Sequence, residues 1–140
     1  MARHAGRPGF AWRSAAPDRA ARLRQDLLDL GLPAPCVAAA PCAARHLPTL
    51  DHPAAALGGA WVIEGSALGG GVLARRLDAV LAPGEPGGRA FFTPDPQQPA
   101  RWRACCAAVE ACGADPEGLA QMQHAARDTF AAFEIWLGAP

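Results

Sequence analysis

An all-α helical bundle is the fold class that this sequence predicts, and three observations carry the prediction. β-Branched residues are scarce, Tyr is missing, and no alternating apolar–polar run exceeds four residues, so strand signals are nearly absent. Apolar residues instead recur at steps of three and four, the period of a helix face. Clusters of Pro and Gly, among 14 Pro and 15 Gly in all, fall between those periodic segments as breaks. With 140 residues, 51% of them hydrophobic, the chain has enough length for one domain with its own core.

The elements follow in order. Residues 1–16 hold Arg3, Arg7 and Arg13 beside Gly6, Pro8 and Gly9 without a sustained period, and read as a poorly ordered or partial first helix. The domain proper is expected over 17–140. A helix is predicted from Pro17, with Asp18 at its positive end, through Leu23, Leu27 and Leu30 to a stop at Gly31 and Pro33. Four prolines (Pro33, Pro35, Pro41, Pro48) make residues 32–50 an irregular connection with one short helical turn around Cys42 to His46. A long second helix is expected from Ala54 to about Leu81, bent rather than straight. Pro83 to Gly88 force a loop, and Phe91 and Phe92 re-enter the core. A third helix is placed from Pro99 to Cys112. Asp115 caps a fourth with Pro116 in its first turn, and Leu119, Met122, Ala126, Phe130, Phe133 and Leu137 form its apolar stripe.

Composition narrows the function classes. All thirteen cations are Arg, they are spread along the chain, and the formal net charge is zero, which is no nucleic-acid footprint. No run approaches the roughly 20 uninterrupted apolar residues of a membrane span, nor does the start carry a secretion signal. The expected location is cytoplasmic. Five cysteines, with neither Cys-x-x-Cys spacing nor a partnered His motif, support neither a disulfide framework nor a metal site. Helical di-iron chemistry is excluded too, because Glu64, Glu110, Glu117 and Glu134 have no His three residues on.

The most informative stretch is Trp61 to Leu77, where Gly65, Gly69, Gly70 and Gly71 interrupt a helical pattern. Each interior Gly costs roughly 1 kcal/mol relative to Ala, so four of them require a compensating gain. Close helix–helix packing is the simpler account, since Gly65 and Gly69 stand four apart. The other account is a kinked helix whose bare backbone faces a flat ligand.

The wording around the glycines carries a family resemblance. Leu57-Gly58-Gly59-Ala60-Trp61-Val62-Ile63-Glu64-Gly65-Ser66-Ala67-Leu68-Gly69-Gly70, followed by Val72, Ala74 and Arg75, resembles the distal helix of bacterial biliverdin-producing haem oxygenases, especially those associated with bacteriophytochromes. Phe91-Phe92, Arg101-Trp102-Arg103 and Thr129-Phe130-Ala131-Ala132-Phe133-Glu134-Ile135-Trp136-Leu137 follow in that family's order. Leu27 to Leu32 and Leu47 to Leu50 extend the likeness, which covers roughly Arg19 to Leu137.

The resemblance implies an all-α fold that sandwiches haem, as substrate and cofactor, and oxidises it to biliverdin, carbon monoxide and iron. It also implies dioxygen and an electron donor, a reductase or ferredoxin, as partners. Gly65, Ser66, Gly69 and Gly70 would form the distal catalytic wall, and Trp61, Arg101, Arg103, Phe130 and Phe133 would hold the haem, the two arginines through its propionates. One departure stands out: the family's first helix, which carries the proximal histidine, is not matched, so the chain reads as shortened at its N-terminus. His4, His46, His52 and His124 are the imidazoles available. Two readings stay open: an oxygenase, or a non-catalytic haem- or biliverdin-binding relative. The second would dimerise over an exposed apolar groove.

Overall fold

The computed structural model describes residues 18–138, so the expectation for residues 1–16 lies outside the described residues. The described chain is helical throughout, in the order α1 (Arg19–Asp29), α2 (Ala34–Ala38), a 3₁₀ turn (Ala44–His46), α3 (Pro53–Leu68), α4 (Gly70–Leu77), α5 (Gln98–Gly113) and α6 (Pro116–Gly138). Asp18 caps α1 by accepting from the Ala21 N–H at 2.9 Å. At the other end Gly31 adopts φ +89°, and the Gly31 and Leu32 N–H groups return to the carbonyls of Leu28 and Leu27, which closes the helix as a glycine stop predicts.

Two element expectations need correction. The proline-rich connection contains α2, where Pro35 sits in the first turn without loss of a bond and Val37 is buried. The long second helix is two helices: Gly69 ends α3 and opens α4, and α4 stops at Leu77, short of Leu81. Together Pro53–Leu77 is long and apolar enough by length and composition to cross a membrane. Within it α3, with Glu64 buried, packs against α5 and α6 as a core helix, whereas α4 beyond the Gly69 break has no buried residue.

The core lies where α3, α5 and α6 meet, around Ala54, Leu57, Cys105 and Met122, with Ala108, Val109 and Cys112 against them. Along α6 the buried positions are Gly118, Met122, Ala125, Thr129 and Ala132. The expected stripe of larger residues points elsewhere: Leu119, Phe130, Phe133 and Leu137 are exposed, Phe130 by 56%. The cause is the spacing of α3 and α6. A β-carbon at Gly58 would stand 2.2 Å from the Met122 carbonyl oxygen, so the two backbones touch and only small residues fit the seam beside it. Thr129 is tolerated there because its hydroxyl donates to the Ala125 carbonyl at 2.7 Å.

α1 is attached differently. Its buried Asp26 accepts from the Ala90 N–H at 2.7 Å and the Phe91 N–H at 2.8 Å, and Asp29 accepts from Gly88 N–H at 3.2 Å. These carboxylates hang the loop between α4 and α5 on α1 and thereby place Phe91 and Phe92. The two rings are half-buried and meet edge to face at 5.0 Å, at the rim of the core rather than inside it.

Two expectations follow for stability. Gly58→Ala should destabilise the fold by about 3 kcal/mol, because the backbone contact must open, whereas Gly69→Ala, in right-handed helical geometry with only its own Ser66 carbonyl nearby, should be neutral or stabilising by up to about 1 kcal/mol. Urea melts of both variants check the contrast. Asp26→Asn replaces one of two accepting oxygens by a donor and should cost about 1–3 kcal/mol in the same assay.

Candidate functional site

The glycines divide by what surrounds them. A β-carbon on Gly65 would lie 3.4 Å from the Trp102 ring, one on Gly70 would lie 3.4 Å from the Phe92 carbonyl oxygen, and one on Gly71 would lie 3.7 Å from the Pro94 ring. These three let α5 and the 91–94 segment close onto α3 and α4. Gly69 meets nothing but the Ser66 carbonyl at 3.7 Å and presents bare backbone at the kink. Close packing thus accounts for Gly65, Gly70 and Gly71 but not for Gly69, the other half of the expected Gly65–Gly69 pair.

Ser66 is exposed on the same helix. Its hydroxyl donates to the Ile63 carbonyl at 2.7 Å and accepts from Arg19 at 3.2 Å, while the same guanidinium donates to the Ile63 carbonyl at 3.3 Å. Arg19 also lies 4.6 Å over the Phe91 ring. Burial lowers the Arg19 pKa from its ordinary value; nearby Glu64 opposes that shift and Arg22 adds to it.

Glu64 is the one carboxylate in α3 and is 97% buried, with 3% of its side chain accessible. Arg101 approaches it with Nε at 3.4 Å from Oε1, and pairs with Asp95 through its other arm. The Gln97 backbone N–H and then Arg101 hold the Asp95 carboxyl below its usual range. Arg101 is thus committed to two carboxylates and not held free for a propionate. Arg103, two residues on, is exposed.

The remaining candidates are dispersed. Trp61 sits on the other flank of α3, 6.1 Å from Trp102, on an apolar groove of about 250 Å³ shared with Gly58, Val109, Leu119, Met122 and Ala126. Phe130 and Phe133 face outward from α6. The void between α1, α3 and the 91–101 segment is about 40 Å³. A tetrapyrrole requires several hundred Å³, as ligand pockets of that class show, so neither space encloses one.

The histidines bear on the same point. His52 caps α3 by accepting from the Ala54 N–H at 3.2 Å, His46 is exposed on the 3₁₀ turn, and His124 is 78% exposed and 3.2 Å from Asp128. Among the described residues no imidazole faces the Ser66–Gly69 surface, and no group of three or more His, Cys, Asp or Glu could hold a metal ion. The described residues offer one bare-backbone position, Gly69, with exposed Leu68, Val72 and Leu73 around it, and bring no iron ligand to it; His4 lies outside them.

A wholly helical domain organised around a glycine-broken central helix is the class that this geometry defines. The heme oxygenase family model matches residues 19–139, which takes in every helix described above, and the chain belongs to that family. No curated protein and no solved structure matches it.

Reading the sequence alone missed Arg19, Asp26, Gly58 and Asp95. Glu64 carried a signal of its own, a lone carboxylate within an apolar, glycine-rich helix. The others are brought in by tertiary contacts 44 to 65 residues away in sequence, or in the case of Asp95 by a partner on the next helix.

Thiol reactivity checks the packing. Burial, then Cys106 and Glu64, push the Cys105 pKa up to about 11, so it is a neutral thiol at pH 7.5. Maleimide at pH 7.5 should label the exposed Cys36 and Cys42 first and reach Cys105 only on unfolding, as peptide mass mapping would show.

Proposed function

We propose that this chain binds haem against the α3–α4 junction and acts in its oxidative cleavage to biliverdin, carbon monoxide and iron, with dioxygen and an external electron donor. The observation that carries the reading is the kink at Gly69, set within the family match over residues 19–139. At that point a planar ligand meets backbone rather than side chain. Bound haem would supply the redox chemistry; the chain's own part is to orient the ring and limit its environment. Gly69 gives the close approach, and exposed Leu68, Val72 and Leu73 give apolar surface around it. Ser66 contributes a hydroxyl whose proton is fixed on the Ile63 carbonyl and whose oxygen is fixed by Arg19.

A second reading is binding without turnover. What favours it is that none of His46, His52 and His124 faces this surface. The bacteriophytochrome-associated type also belongs to the proposal, on the wording of residues 57–70.

Haem titration of the purified chain should give a saturable Soret band. Gly69→Leu, whose β-carbon would meet only the Ser66 carbonyl at 3.7 Å, should keep the circular dichroism spectrum and weaken haem binding by at least about tenfold, the equivalent of 1.4 kcal/mol. Ascorbate and oxygen then separate the two readings: growth of a biliverdin band supports the oxygenase, and an unchanged Soret band supports binding alone. Absence of a saturable Soret band, or full affinity in Gly69→Leu, would overturn the proposed wall.

A further inference from the structure

The outward face of α6 has a period of its own. The residues buried in α6, namely Gly118, Met122, Ala125, Thr129 and Ala132, stand at alternating steps of four and three. One residue further along, Leu119, Gln123, Ala126, Phe130, Phe133 and Leu137 repeat those steps to the end of the helix. This second row is a heptad seam, apolar at every position but Gln123. α3 fills the first seam, whereas Leu119, Phe130, Phe133 and Leu137 of the second are exposed. A contiguous apolar row of that length is uncommon on a monomer.

The charges beside the seam select what covers it. Arg127 and Glu134 each follow a seam residue and stand seven apart on one flank, both exposed. Neither has an ion-pair partner among the described residues. The opposite flank, Met122, Thr129 and Trp136, carries no charge. A second α6 laid antiparallel on the seam, with Phe130 opposite the partner's Phe133, brings Arg127 of each chain beside the partner's Glu134, twice through the two-fold axis. The same register sets small Ala126 opposite the partner's Leu137. Ala126 lines the apolar groove of about 250 Å³ shared with Gly58, Trp61, Val109 and Leu119, which gives that leucine a hollow to enter. A parallel pair would instead set both charges against the uncharged flank.

We propose that α6 is a homodimerisation helix: two copies of the chain join through antiparallel seams from Leu119 to Leu137, clamped by two reciprocal Arg127–Glu134 ion pairs. The self-complementary arrangement of one cation and one anion on a single flank is what makes a second copy the occupant. No residue of the Ser66–Gly69 surface takes part, so the interface stands apart from haem binding and turnover.

Sedimentation equilibrium of the whole chain, without haem, tests the interface. The expected result is a reversible monomer–dimer equilibrium with Kd on the order of 1–10 μM. Phe130→Glu, at an exposed position, should keep the circular dichroism spectrum and raise Kd at least about a hundredfold. Arg127→Glu and Glu134→Arg should each raise Kd by about tenfold, since each creates two like-charge contacts. The double variant Arg127→Glu/Glu134→Arg should return to the Kd of the parent chain, and an equimolar mixture of the two single variants should form heterodimers of parental affinity. A merely structural role for either charge would move neither of these last two readouts. A chain that stays monomeric to 200 μM, the result if a different partner or another part of the chain covers the seam, overturns the proposal. So does a dimer that survives Phe130→Glu, or one whose charge reversals are not rescued by each other.

Discussion

The contact between the α3 and α6 backbones at Gly58 and Met122 is the constraint on which the rest of the structure depends. Once two helices touch there, the facing positions must be small, and Gly59, Ala125, Thr129 and Ala132 fill that role. Apart from Met122, the bulky residues of α6 are turned outward by the same geometry. α5 then closes the third side, with Cys105 fully buried beside Leu57 and Met122. The core is consequently narrow, built from close approach and dispersion contacts more than from large side chains.

That economy has a counterpart in the polar parts. Segments that share no broad apolar interface with the core are placed by a few directed bonds: Asp26 to the 90–91 backbone, Arg101 to Glu64 and Asp95, Arg89 to Asp78 and the Ala82 carbonyl. Each bond is specific in direction, so it positions a segment as well as holding it. The wall at Ser66 and Gly69 is therefore framed by polar contacts on one side and by the small-residue seam on the other.

Much of this was legible in the sequence, for physical reasons that can be named. Helix ends were readable where local chemistry sets them: Asp18, Gly31 and Asp115, whose carboxylate accepts from the Gly118 N–H at 3.0 Å. The family was readable because its wording is concentrated in residues 57–70. The α6 stripe was not, because periodicity identifies the more apolar face and the seam demanded the smaller one. α2 was obscured by its prolines, which suit a first helical turn as well as they break an interior. The Glu64, Arg101 and Asp95 group was out of reach in part, since nothing local to Asp95 or Arg101 distinguishes a buried pair from a solvated one.

The attachment of α1 has a consequence for how the molecule opens. Among the described helices α1 packs only against α2, and it reaches the remainder through Asp26, Asp29 and Arg19. Bonds of that kind are weakened by competing ions and by water to a degree that apolar seams are not. The first cooperative unit to exchange its amides with solvent is then α1 with the 88–91 loop, while the α3–α6 seam exchanges only with global unfolding. Because that unit covers Ile63 and Ser66 through Arg19, its opening is also the step that bares the polar flank of the α3–α4 wall.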